Sequence, residues 1–248
     1  DLFDHESIVD FAGNLNCVLE AMVQNSESPI ARIDLVGDDD LARQGVASAK
    51  SDRPTTLRSL LAIGAERADA DVATILGSSG ALTRTMFEAR TNQLARELIG
   101  RGIGAGDTIA VSIPRSQHSV VAMVAVAKTG AAFVVIDPRH PAERRASLVA
   151  DADTVLGLTT TEVSEPAASV PWIVLDVAQD ELQIAGHSGR SVADDELVRC
   201  VRPEDVAYIL FTSGSTGKPK AAAVSNRAIT NLAVNSVETW GMTPDSRM

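Results

Sequence analysis

Aromatic residues make up only 3% of this 248-residue chain, with one tyrosine and two tryptophans. Proteins that grip nucleic acid by stacking need rings on their surface, and few are on offer here. Positive charge is also scarce: 22 Lys and Arg stand against 33 Asp and Glu, a net charge of −11. That balance argues against a broad polyanion-binding surface and against a nucleic-acid partner. A compact phosphate site, which needs only a few donors and one or two cations, stays open. The two cysteines, Cys17 and Cys200, have no CxxC spacing and cannot build a metal cluster by themselves. They read as buried or incidental thiols in a reducing, cytoplasmic setting. Long hydrophobic runs are missing too. The most apolar stretch, 120–136, is broken by Lys128, Thr129 and Gly130, and no basic-then-apolar leader opens the chain, so no membrane span or signal is expected. No repeat or low-complexity segment is present. The chain opens on Asp1, which reads as a piece of something longer.

What is abundant is aliphatic. A hydrophobic content of 45%, carried by Ala, Val, Leu and Ile, suits strands covered by helices. Ile8, Phe11, Leu15, Val18, Leu19 and Met22 recur at helix-face spacing. The acidic, small-residue stretch "GDDDLARQGVASAKSDRP", 37–54, has no sustained period and reads as a linker. From Leu57 onward helices and strands alternate. Helices are expected at 57–68, 84–100 (stopped by Gly102) and 117–128, then from Pro141, as first helical residue, to about 150, and from a Ser225 cap to about 239. Strands are expected at 72–76, "DTIAVSIP", "AAFVVID", "TVLGL", "WIVLD", "VAYILF" and "AAAV". The region 179–202 is polar and gives no pattern. This order predicts an α/β fold, a layered and largely parallel sheet covered by helices on both faces. Ligands in such sheets sit beyond the carboxyl ends of the strands.

One loop leaves such an end with unusual chemistry. In "TSGSTGKPK", 212–220, Gly214 and Gly217 let the backbone approach a ligand closely, while Thr212, Ser213, Ser215 and Thr216 bring four hydroxyls. Successive N–H groups there can form an anion nest. Lys218 and Lys220 add charge, and Pro219 keeps them out of a regular helix. The set suits a polyphosphate. The loop is not the P-loop of nucleotide hydrolases: the residue five before Gly217 is Thr212 rather than glycine, and Pro219 follows Lys218. A plain surface turn has some of the same residues, but not four hydroxyls, two glycines and two lysines directly after a buried strand. His118 and His140 lack a paired carboxylate or cysteine and read as helix-surface and turn residues, and Asp137 before Pro138 suits either a turn cap or a ligand contact.

The stretch "YILFTSGSTGKPKAAAVSNRAITNL" resembles the phosphate-loop signature of adenylate-forming enzymes, which include acyl-CoA synthetases, luciferases and the adenylation domains of nonribosomal peptide synthetases. A second block, "AVAKTGAAFVVIDPRHPAERRASLVADAD", is similar to the early block of peptide-synthetase adenylation domains, and the opening 1–36 looks like the tail of a condensation domain. The resemblance implies a division into condensation tail (1–36), linker (37–54) and the first part of the large N-terminal core of an adenylation domain (55–248). The chain departs from the family at Arg84, where Tyr is usual, at Val135 for Pro, Ala221 for Gly and Asn226 for His.

By resemblance, the reaction joins an amino acid or other carboxylate to MgATP, giving an acyl-adenylate and pyrophosphate, and passes the acyl group to the phosphopantetheine thiol of a carrier domain. ATP phosphates would be held by Thr212, Ser213, Gly214, Ser215, Thr216, Gly217 and Lys220, with Lys218 in a lesser role. The partners implied are ATP, the carboxylate substrate, the carrier domain and an upstream condensation domain. The family's catalytic lysine is expected beyond Met248, so no catalytic residue is assigned and the chain alone is expected to be inactive. Two further readings are a free-standing acyl-CoA ligase, disfavoured by the upstream helix and linker, and a non-catalytic nucleotide-binding module.

Overall fold

The computed structural model describes residues 5–24, 29, 55–67, 73–77, 80–163, 169–212 and 219–243. The chain divides into two units, 1–52 and 53–248. Of the first, the described part is helix α1 (His5–Gln24), in which Phe11, Leu15 and Met22 are exposed. The expected linker, 37–54, lies outside the described residues.

The second unit is built on a six-stranded sheet. Its strands are β3 (Thr108–Ser112), β4 (Ala132–Val135), β5 (Thr154–Thr159), β6 (Trp172–Val174), β7 (Val206–Thr212) and β8 (Lys220–Ser225), in the order β6-β5-β3-β4-β7-β8. All neighbours run parallel except β7 and β8, which pair antiparallel as a hairpin. The largely parallel sheet is therefore observed, with one reversed edge strand. Two strands stand apart: β1 (Ala73–Gly77) and β2 (Gly80–Thr83) form a separate antiparallel pair. The strand expected at 72–76 thus belongs to this small ribbon, and β2, only four residues long, gave no pattern of its own.

The helices of this unit are α2 (Leu57–Arg67), α3 (Arg84–Gly100), α4 (Gln117–Thr129), α5 (Ala142–Asp151), α6 (Ala178–Ala185) and α7 (Asn226–Thr239). Alternation along β3 sends its residues to opposite faces. Ile109 and Val111 join Leu94, Leu98, Val121 and Val126 of α3 and α4 in one buried cluster, while Ala110 joins Val134, Leu148 and Val149 in another under α5. Helices thus cover both faces, as largely apolar parallel strands require.

Local chemistry sets the helix ends. Thr83 caps α3 by accepting from the Met86 N–H at 3.2 Å, and Gly102, at φ 85°, lets the chain turn as the Ile103 N–H bonds the Leu98 carbonyl at 3.1 Å. Gly130 ends α4 at φ 83°, where an added Cβ would collide with Val201. Gly157 in β5 likewise gives its space to the Trp172 ring. Pro141 precedes α5 as its cap instead of opening its first turn: its φ of −53° fits a helix, but its ψ of 148° is extended. The patternless 179–202 stretch contains most of α6 and a 3-10 turn at Asp194–Glu196. Its order comes from α3: Asn92 donates to the Gly189 carbonyl, Gln93 to Ala185 and His187, and Arg96 to Ser188, Arg190 and Ser191.

Candidate functional site

The chain connections define where a ligand edge lies. β3 passes through α4 to β4 on one side, and β4 returns through α5 to β5 on the other side of β3. Such a reversal of direction opens a crevice at the carboxyl ends of the strands. β4 also neighbours β7, with Phe133 opposite Tyr208 and Val134 opposite Ile209. The Phe133 and Tyr208 rings stack, centroids 5.7 Å apart and 19° from parallel. The carboxyl ends of β4 and β7 therefore open on one edge.

At that edge the hairpin brings Thr212 opposite Lys220, the last residue of β7 facing the first of β8. The Thr212 Oγ1 lies 3.5 Å from the Lys220 carbonyl oxygen, and both residues are exposed. Of the predicted phosphate-loop residues, these two are brought together. Ser213, Gly214, Ser215, Thr216 and Gly217, with Lys218, lie outside the described residues. The chain between the paired ends carries three hydroxyls, two glycines and a lysine, a donor set that fits a polyphosphate.

The foot of the hairpin is anchored by a residue that the sequence marked only as a departure. Asn226 is 4% exposed. Its N–H and its Nδ2 both donate to the Asp205 carbonyl, at 2.9 and 3.1 Å, and its Oδ1 accepts from the Leu57 N–H at 3.0 Å. One side chain thus joins the starts of α2, β7 and α7. Ser225 caps α7 as expected, accepting from the Ala228 N–H at 3.3 Å.

Next along the edge, Asp137 is a turn cap. Its Oδ1 accepts from the Arg139 N–H at 2.9 Å, and its Oδ2 from the exposed Arg139 guanidinium at 2.7 Å. Those bonds hold its carboxyl well below the usual range. Arg145 supports the same turn from below, donating to the carbonyls of Pro138 at 3.0 Å and His140 at 2.6 Å. His140 is exposed in this turn and His118 lies half-buried at the start of α4, the turn and helix positions read from the sequence. Cys17 and Cys200 are both exposed, so the buried alternative for them falls.

Behind β4 sits Lys128, the lysine of the "KTG" turn, which is 7% exposed. Its Nζ donates to Glu88 Oε2 at 2.6 Å, Thr91 Oγ1 at 2.7 Å and Asn92 Oδ1 at 2.7 Å, filling all three donor positions. Burial pushes its pKa down, and Glu88 restores part of the loss. Arg84, the residue standing for a usual Tyr, pairs with the other Glu88 oxygen at 2.9 Å. Arg58 reaches the Lys128 carbonyl at 3.0 Å. This cluster is structural: it locks the end of α4, and so the entry to β4, onto α3. Nothing in the spacing of single charged residues announced it.

The family described as AMP-binding enzyme matches residues 61–248, and the chain belongs to it. Among curated relatives, it is 30% identical to tyrocidine synthase 3 of Brevibacillus parabrevis over 94% of this chain and 4% of that protein. It is 34% identical to novobiocin biosynthesis protein H of Streptomyces niveus over 70% of this chain and 30% of that protein. The chain thus spans well under half the length of these relatives. Among solved structures, the nonribosomal peptide synthetase FmoA3 in its AMPPNP-bound form superposes with a TM-score of 0.72 at 19% identity, covering 99% of this chain and 26% of that one. VinN in complex with 3-methylaspartate gives 0.62 at 23% identity, covering 77% and 53%. These likenesses establish the fold. Among the described residues, no helix is long and apolar enough to cross a membrane.

Proposed function

We propose that the chain is part of a peptide-synthetase adenylation domain that activates an amino acid or other carboxylate with MgATP as the acyl-adenylate, for transfer to a carrier-domain phosphopantetheine thiol. The observation that carries the reading is the β7–β8 hairpin of an AMP-binding family member, in which Thr212 and Lys220 pair at the open end of the sheet and the sequence between them is rich in hydroxyls and glycine. Residues 1–36 are read as a condensation-domain tail, 37–54 as linker and 55–248 as the first part of the adenylation domain. The protein is read as a cytoplasmic, multidomain ligase of secondary metabolism.

In this reading, Thr212, Ser213, Ser215 and Thr216 donate hydrogen bonds to phosphate oxygens, Gly214 and Gly217 let main-chain N–H groups approach them, and Lys220 supplies the cation. When bound, MgATP supplies the electrophilic phosphorus and the pyrophosphate leaving group. Charge grows on that leaving group as a weak carboxylate nucleophile attacks, so preorganised donors lower the barrier. Ala221, exposed just past the loop, adds a Cβ where the family commonly has none. The relatives' greater length supports reading the complete reaction as the work of a longer protein.

The test is carboxylate-dependent ATP–pyrophosphate exchange by the longer protein that contains this chain. Lys220→Ala and Thr212→Val are each expected to lower exchange, with the circular dichroism spectrum unchanged. Wild-type rates in both variants would remove the phosphate-holding role. An acyl-CoA ligase differs in accepting free coenzyme A as efficiently as the carrier, which a competition assay reads directly.

A further inference from the structure

A second concavity lies away from β7 and β8. Three strands separate β6 from β7 in the sheet, and every described residue lining this groove comes from α3, α4, α6 or the turn after β6. Its volume is ≈ 480 Å³, within the roughly 300–1,000 Å³ typical of small-molecule sites. The floor is apolar: Leu94 from α3, Val121 from α4, and Leu175 and Ile184 on the β6–α6 side. Leu182 stands on the α6 lip with 75% of its surface exposed.

Polar and cationic groups line it as well. Arg90 of α3 is exposed and has no ion pair or hydrogen bond among the described residues. The first two residues of α4, Gln117 and His118, line the same space, at the helix end that favours negative charge. Among the described residues a single carboxylate, Glu181, lines the groove, exposed on the α6 side. No residue of the α6 wall is fully buried, and only Ile184 of it packs against the core cluster. It is held by polar bonds to α3, with Gln183 donating to Glu97 at 2.8 Å and Gln93 donating to the Ala185 carbonyl at 3.1 Å. Such a wall adjusts to what it encloses more easily than a packed one.

We propose that the α3–α6 groove is a binding site for a small amphiphilic carboxylate, its apolar tail on Leu94, Val121, Leu175 and Ile184 and its head at Arg90. The site is separate from the phosphate loop and stands whether or not the adenylation reading holds.

Isothermal titration of the chain with decanoate, decanol and decylamine tests it. Saturable one-to-one uptake of decanoate is expected, tighter than that of decanol, with decylamine weakest. Arg90→Ala should weaken decanoate tenfold or more and leave decanol unchanged. Leu182→Glu, at an exposed position that does not endanger folding, should weaken both. Absence of saturable decanoate uptake, decylamine binding as tightly as decanoate, or unchanged decanoate affinity in the two variants would overturn the proposal.

Discussion

In β3, Ile109, Ala110 and Val111 are each at most 1% exposed, whereas in β7 Leu210 is 48% exposed and β8 turns Lys220, Ala221, Ala222 and Ala223 to solvent. The middle of the sheet is sandwiched by α3 and α4 on one face and by α5 on the other. Its β7–β8 edge is thinly covered. The two regions divide the work. Stability resides in the middle, and Thr212 and Lys220, proposed to handle phosphate, stand exposed at the edge.

The largest effect that separates the regions is a cavity. Leu98→Ala, at a site with 0% exposure, should cost about 4 kcal/mol in urea unfolding, while Leu210→Ala should cost about 1 kcal/mol or less. Equal losses would break the comparison. Next, Lys128→Met removes the cation that serves Glu88, Thr91 and Asn92 and should cost about 3 kcal/mol, because the Glu88 carboxylate loses its shortest bond. A loss no larger than that of Leu210→Ala would show that the cluster does not lock α4. At the edge the pattern reverses: Lys220→Ala should lower exchange in the longer protein about 100-fold, equivalent to about 2.7 kcal/mol of barrier, with an unaltered unfolding midpoint.

The smallest effect concerns pH. Burial pushes the Glu97 carboxyl up, but hydrogen bonds from His187, Arg101 and Gln183 outweigh it and hold its pKa below the ordinary value. A lowered carboxylate pKa contributes stability that is present above the unfolded value, about 4.3, and is lost as pH falls through the folded one. Stability should therefore fall with acidification below about pH 5, and more shallowly in Glu97→Gln. Identical slopes in the two proteins would show that the network around Glu97 carries no proton linkage.

Much of the fold was legible because its signals are local. Continuous aliphatic runs such as 109–111 mark strands buried on both faces, and Gly102 and Ser225 punctuate helices through their own backbone and side-chain chemistry. Contacts distant in sequence were not legible. Residues 179–202 looked patternless because their order is supplied by side chains of α3, about 90 residues earlier, as in the Asn92 bond to Gly189. Asn226 looked like a departure because its partners, Asp205 and Leu57, are fixed only when three elements meet. Arg84 and Glu88 are a local pair four residues apart on α3, but their link to Lys128 of α4 is a contact that only the fold supplies.

The sequence by itself determined the alternation of strands and helices, the candidate set at 212–220 proposed to hold phosphate and the family that set points to, because hydrophobic period, glycine freedom and hydroxyl spacing are properties of neighbouring residues. Tertiary structure alone decided that β1 and β2 leave the main sheet and that β8 reverses direction beside β7. It also decided that Lys128 is buried and fully bonded, and that Arg90, without an ion pair among the described residues, lines a largely apolar groove. Burial and charge pairing depend on which distant surfaces come together, and packing in three dimensions settles that.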